Sequence, residues 1–251
     1  MQRYFSINQG GSSIRCKLYC QDPRTIKKVV LFLHGFGGHK DAGAAARFAE
    51  KLLGKQKGAA LVTFDLPAHG EDAHKKLLLT DCLTYLELVT GYLRETYPGP
   101  LYGYATSFGG YLALLYIGTK GSPFRRLALR CPAVEMYQSL TQIIMTGEQL
   151  EALEKGKPVA VGFDRKVTLT REFLDQIREN DVRELDYLDW AEDIRIYQGT
   201  ADEILSPESV FAFAEDKLIE SVPVEGADHR FHDPKKLDLT HKEILDFFFA
   251  G

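Results

Sequence analysis

The chain has 251 residues, of which 45% are hydrophobic and 26% charged, with four cysteines and a formal net charge of −4. A compact chain of this size buries roughly 70–75% of its unfolded surface, so a core needs neither disulfides nor a structural metal. The composition excludes disordered, collagenous and membrane-spanning classes, and the slightly acidic balance argues against a broad nucleic-acid-binding face.

At about 150 residues per domain the length fits one large domain or one and a half. The opening MQRYFSINQGGSS lacks the apolar core of a secretory signal. No later stretch approaches roughly 18 uninterrupted apolar residues, so a cytoplasmic protein that does not bind membranes is expected. YFSIN and IRCKLYC flank a GG turn and read as an antiparallel hairpin. Cys16 and Cys20 share one face of its second strand, where a bridge is geometrically awkward. With Cys82 and Cys131 they read as free thiols, and their spacing matches no zinc site.

Residues 28–32 (KVVLF) form a short apolar run bounded by charge and glycine, the pattern of a strand buried on both faces. It ends in HGFGG. Residues 41–53 follow as a helix, with Asp41 as its N-cap and Gly54 just past its end. The unit of strand, glycine-bearing loop and helix then repeats: residues 59–64 lead through DLPAHG to a helix at 81–96, and residues 101–104 lead through ATSFGG to a helix at 110–119. Strands alternating with helices predict an α/β fold whose mostly parallel sheet carries helices on both faces. Further strands are expected at 126–129, 194–198 and 218–224, with a C-terminal helix over 239–249.

Between Pro132 and Trp190 this rhythm breaks. MYQSLTQIIM reads as an amphipathic helical piece, GEQLEALEKGK as a charged segment, PVAVGF and KVTL as short strands, and TREFLDQIREN as a helix capped by Thr170. The stretch is too long for a simple connection and too short for a comfortable independent domain. The expected division is therefore a core of residues 1–132 and 189–251 with a small inserted cap over 133–188.

The strongest chemical signal is Tyr104-Ala105-Thr106-Ser107-Phe108-Gly109-Gly110. It fits a G-x-S-x-G nucleophile turn with Ala105 in place of the first glycine. A serine on so tight a strand-to-helix turn adopts a strained backbone, so the residues two before and two after it must be small. A hydroxyl is a poor nucleophile without a base, and the base needs an orienting acid, expected in the order Ser, Asp or Glu, His. Asp202, just past a strand, is the candidate acid, with Glu203 and Glu135 as rivals. His229, in the loop after the last strand, is the candidate base, with His232 as its rival. His34 and His69 read as loop-holding groups, and His39, His74 and His241 lie in polar, surface-like contexts. The cluster Asp228, His229, His232 and Asp233 has no helix-face spacing and does not read as a metal site.

Acyl transfer also builds charge on a carbonyl oxygen, which two converging N–H groups can stabilise. Phe108, after the nucleophile, and Phe36, within HGFGG, are placed to supply them. HGFGG lacks the lysine and spacing of phosphate-binding loops.

With HGFGG, DLPAHG, ATSFGG, GTADE and GADHRF in that order, the chain resembles the α/β-hydrolase superfamily over residues 28–131 and 190–250. Within it, the small bacterial esterases of the cinnamoyl or feruloyl type are similar in size, in the HGF loop and in a short cap after the sixth strand. The resemblance implies Ser107 as nucleophile, Asp202 as acid, His229 as base and the Phe36 and Phe108 N–H groups as oxyanion hole. It implies hydrolysis of small-molecule carboxylic esters, with short to medium acyl or hydroxycinnamoyl groups, through an acyl-enzyme and without metal or organic cofactor. Met136, Tyr137, Ile143, Ile144 and Met145 in the cap are the candidate substrate-lining residues, and packing of the cap onto the core explains them equally well. A lipase or monoacylglycerol-type hydrolase and a peptidase-like relative are the neighbouring alternatives. A non-catalytic binder on the same fold is disfavoured because all three triad positions are filled.

Overall fold

A computed structural model describes residues 1–73, 75–162 and 165–250, which leaves the anticipated contexts of His74 and Phe163 outside the described residues. The chain opens with a hairpin, β1 (Gln2–Gln9) and β2 (Ser12–Cys20). Gly10 and Gly11 join them at φ of 59° and 76°, a left-handed pair that matches the twist of the flanking strands. Five strands then alternate with helices: β3 (Lys28–Leu33), α1 (Gly43–Lys55), β4 (Ala59–Phe64), α2 (Leu79–Thr96), β5 (Leu101–Thr106), α3 (Phe108–Lys120) and β6 (Leu127–Arg130), with β9 (Ile194–Gly199) as the fifth. After β9 come α7 (Pro207–Asp216), β10 (Glu220–Val224) and α8 (Pro234–Phe249).

The strand order across the main sheet is β1-β2-β4-β3-β5-β6-β9-β10. Pairing is antiparallel only where β2 meets β1 and β4, and parallel everywhere else. β4, β5 and β6 are buried at every position, as strands covered on both faces must be. α1 and α8 lie together, and α2 and α3 lie together. This is the α/β-hydrolase architecture, with the loops at the carboxyl ends of β3, β5, β9 and β10 converging.

Between β6 and β9 the chain makes a separate set of elements. A short α4 (Met136–Gln138) runs into a π-helical turn over Ser139–Ile144, then α5 (Gly147–Glu154), a two-stranded sheet of β7 (Val159–Val161) and β8 (Val167–Leu169), and α6 (Arg171–Glu179). The charged segment is thus helical, closed at its start by a capping box of Thr146 and Gln149. Thr170 caps α6 by accepting from the Phe173 N–H.

Several ends differ from the sequence expectation. Asp41 does not cap α1; its carboxylate takes the Lys17 ammonium at 2.7 Å and the Tyr4 hydroxyl at 2.8 Å, and Gly54 lies inside the helix. α8 starts at Pro234 because Asp233 caps it through the Lys235 N–H. The helix α7 was not anticipated. All four cysteines are buried and unbridged. Among the described residues no helix is long and apolar enough to cross a membrane.

Candidate active site

Ser107 sits between the last residue of β5 and the first of α3 with φ 51° and ψ −117°, a left-handed backbone that a serine adopts only under constraint. The constraint is visible. Its N–H donates to the Arg130 carbonyl on β6 at 3.1 Å, and its carbonyl accepts from Tyr111 at 3.1 Å and Ala133 at 3.2 Å. α3 lies so close to the end of β3 that a methyl on Gly109 would stand 2.6 Å from the Leu33 carbonyl oxygen and 2.7 Å from that of His34. Ala105, the other small residue of the turn, is fully buried.

The loops after β9 and β10 bring two further side chains to this turn. His229 Nε2 lies 3.1 Å from Ser107 Oγ, and its Nδ1 lies 2.9 Å and 3.1 Å from the two Asp202 oxygens. Asp202 also accepts from the Ile204 and Leu205 N–H groups at 2.9 Å and 2.8 Å and from the Gln198 amide at 3.0 Å. Burial works to raise its pKa, but the hydrogen bonds from His229 and the loop N–H groups outweigh it and hold the carboxyl below the usual range. With Nδ1–H directed at a carboxylate, Nε2 is left to accept the serine proton.

The rival residues are placed elsewhere. Glu203 accepts from the His229 backbone N–H at 3.2 Å and so fixes the loop rather than the ring. Glu135 pairs with Arg183 at 2.6 Å. His232 is exposed and meets Asp228 at 2.7 Å. Because both ring nitrogens of His229 are engaged, the run from Asp228 to Asp233 offers no ligand set around it. A tighter group of Cys131, Asp202 and His229 has its donor atoms within 4.8 Å of one another. Burial pushes the Cys131 thiol up and keeps it protonated beside the carboxylate. Sequence reading gave Gln198 no role, weighed Glu203 only as a rival acid and took Cys131 only as a free thiol; their places around Asp202 and His229 emerge in three dimensions.

HGFGG forms the opposite wall. A methyl on Gly35 would stand 3.2 Å from Ser107 Cβ, and one on Gly38 2.9 Å from the His34 ring. His34 Nδ1 donates to the Gly35 carbonyl at 2.9 Å while its Nε2 accepts from the Leu66 N–H at 3.3 Å, which ties this loop to the one after β4. Burial, reinforced by nearby His69, pushes the His34 pKa down to about 3, so the ring is neutral as these two bonds require. The Phe36 and Phe108 N–H groups donate to no described residue. Both rings pack together, 6.0 Å between centroids.

A cavity of about 470 Å³ opens over Ser107 and His229. Of the five candidate lining residues only Ile144 faces it, beside Phe32, Phe36, Ala44, Ile204 and Arg165. Met136 and Tyr137 line a different cavity with Tyr111 and Ile177, Ile143 is exposed, and Met145 is buried in the core. The π-helical turn rotates the residues after Gln138 away from the register a regular helix would give. His241, read as surface-like, is fully buried.

The family model described as serine aminopeptidase, S33 matches residues 24–184. No curated protein matches the chain in sequence. Among solved structures, ferulic-acid-bound Est1E from Butyrivibrio proteoclasticus superposes with a TM-score of 0.79 at 18% identity, covering 98% of this chain and 100% of that one. The esterase domain of a Rhodothermus marinus protein gives 0.71 at 16% identity, with full coverage of both chains. The Paleococcus ferrophilus monoacylglycerol lipase gives 0.67 at 17% identity, covering 95% and 99%. At these identities the likeness is one of fold.

Proposed function

Since the chain belongs to the serine aminopeptidase S33 family of the α/β-hydrolase superfamily, we propose that it hydrolyses small-molecule carboxylic esters through an acyl-enzyme on Ser107. The observation that carries this reading is the unbroken hydrogen-bond line from Ser107 Oγ through His229 to Asp202. Ser107 attacks the ester carbonyl while His229 Nε2 takes its proton, and Asp202 stabilises the imidazolium that forms. The Phe36 and Phe108 N–H groups, which donate to no described residue, receive the developing oxyanion. His229 then protonates the leaving alcohol, and a water activated by the same nitrogen releases the acid. No step needs a metal or an organic cofactor.

In this reading residues 133–188 act as a cap that shapes the substrate site, supported by Ile144 and Arg165 on the cavity wall. A mixed lining of aromatic, aliphatic and glycine surface suits a short acyl or aromatic ester better than a long lipid chain. The ferulate bound to the Butyrivibrio esterase supports the aromatic choice.

The test offers the purified protein nitrophenyl esters of rising chain length, methyl hydroxycinnamates and an aminoacyl nitroanilide, beside Ser107→Ala. The wild type is expected to prefer the esters, and Ser107→Ala to lower kcat roughly 10³- to 10⁶-fold. Equal rates for the two proteins defeat the assignment, and preference for the anilide moves it to a peptidase.

A further inference from the structure

One charged group in the site takes no part in the chemistry above. Arg130 ends β6 directly beside Thr106 on β5, one residue from the nucleophile, and lines the cavity that Ser107 and His229 share. It is only 7% exposed. Its Nε and Nη1 are sealed from water with no hydrogen-bond partner, and its side chain makes no ion pair with any described residue. A buried guanidinium with unmet donors is costly, and such exceptions call for a reason.

The surroundings withhold a counter-charge. Tyr104, Cys131 and His241 are titratable groups close enough to feel the Arg130 charge. Burial holds all three neutral, raising the phenol and the thiol and lowering the imidazole to about 3. Among the described residues the side chain's partner is aromatic: its Cζ lies 5.1 Å from the ring centroid of Phe231. Phe231 is held at φ 56°, two residues after His229, so the loop that delivers the base also sets a flat surface against the guanidinium. With Nε and Nη1 sealed, Nη2 is the guanidinium nitrogen left to meet the cavity, and it offers a charge-assisted hydrogen bond to a carboxylate oxygen. Arg165 at the cavity mouth adds positive charge, and no carboxylate is among the described lining residues, although the chain as a whole is acidic.

We propose that Arg130 is a specificity-determining residue that binds a carboxylate of the substrate, so that the ester cleaved at Ser107 is an anionic one, carrying a free carboxylate on its acyl or its alcohol part. This rests on the ester-hydrolase reading and narrows it. The buried guanidinium receives its counter-ion only when substrate enters, and a neutral ester of the same shape leaves it unpaired.

Two matched pairs test this. 4-Acetoxybenzoate against phenyl acetate places the charge on the leaving group, and monoethyl adipate against ethyl heptanoate places it on the acyl part. In at least one pair the wild type is expected to show a kcat/KM at least about 10-fold higher for the anion. Arg130→Met is expected to lower that anion-to-neutral ratio roughly 100-fold, chiefly through KM, and Arg130→Lys to recover part of it. Loss of an arginine that merely supports the Phe231 loop would slow both members of a pair alike and leave the ratio unmoved. An unmoved ratio overturns the proposal, as does a wild type that cleaves neutral and anionic members equally well. That wild-type comparison decides the matter even if the methionine variant fails to fold. Cleavage of none of the four esters overturns the hydrolase reading and this inference with it, whereas cleavage without preference overturns this inference alone.

Discussion

Asp202 accepts hydrogen bonds from His229, Ile204, Leu205 and Gln198 while its side chain is shut off from solvent. Such a set suits only a carboxylate, because every neighbour donates. Replacing it by asparagine removes the charge and turns an NH₂ toward at least one donor, so Nδ1–H of His229 loses its anchor and the productive tautomer is no longer selected. Asp202→Asn is therefore expected to lower kcat roughly 10³- to 10⁴-fold, with a folded protein by circular dichroism. Undiminished turnover would transfer the acid role to another carboxylate. At this scale the sequence was legible where a residue type is dictated by backbone geometry. Ser107, Gly109 and the glycines of HGFGG each answer a steric demand that a short motif records. Arg130 left no such trace, because a charged residue closing the run LALR looks like the point where a strand reaches water. Its burial depends on Phe231 and α8, more than a hundred positions away in the chain.

The glycines of the helices show how elements constrain each other. In α3, Gly109 brings the first turn against the Leu33 and His34 carbonyls, closer than any side chain allows. Gly109→Ala must push the helix away from β3 and carry the Phe108 N–H with it. The expected result is a loss of about 1–3 kcal/mol in stability by urea titration, together with a fall in kcat. Gly91 in α2 has nothing within 4 Å of the position a methyl would take. There alanine is expected to raise stability by about 0.5–1 kcal/mol without touching turnover. If both substitutions behave alike, close packing of α3 on β3 is not what fixes the turn. Element by element, the parallel strands and their helices could be read because apolar runs and helical spacing are local. The ends were less legible: Asp41 has the chemistry of a cap, yet Lys17 and Tyr4, distant in sequence, compete for it. α7 carries a start signal in Ser206 and Pro207 but only a short apolar face behind it, and nothing local announces the π-helical turn at Ser139–Ile144 that decides which cap residues face the cavity.

Across the whole molecule, buried histidines tie the fold to pH. His34 holds the oxyanion-side loop, and His241, on the buried face of α8, sets its ring against Phe48 of α1 and Tyr104 of β5. Burial is the first cause in both cases, reinforced by His69 for the former and by Arg130 for the latter, and both are lowered from 6.5 to about 3. The unfolded chain therefore binds these protons below about pH 6.5, whereas the folded one refuses them until about pH 3. Stability is full above the unfolded value and falls as the pH drops through this window, by about 1.4 kcal/mol per pH unit for each imidazole. The depressed carboxylates Asp41 and Asp238, both lowered from 3.8 to about 2, act in the same direction but only below about pH 4. The interval from pH 6 to 4.5 thus isolates the imidazoles. Urea unfolding free energies of the wild type are expected to fall more steeply there than those of His241→Phe, which keeps a ring of similar size, by the slope of one proton. Parallel slopes would mean that His241 is protonated in the folded protein, and the charge on its side of the sheet would then include a cation beside Arg130.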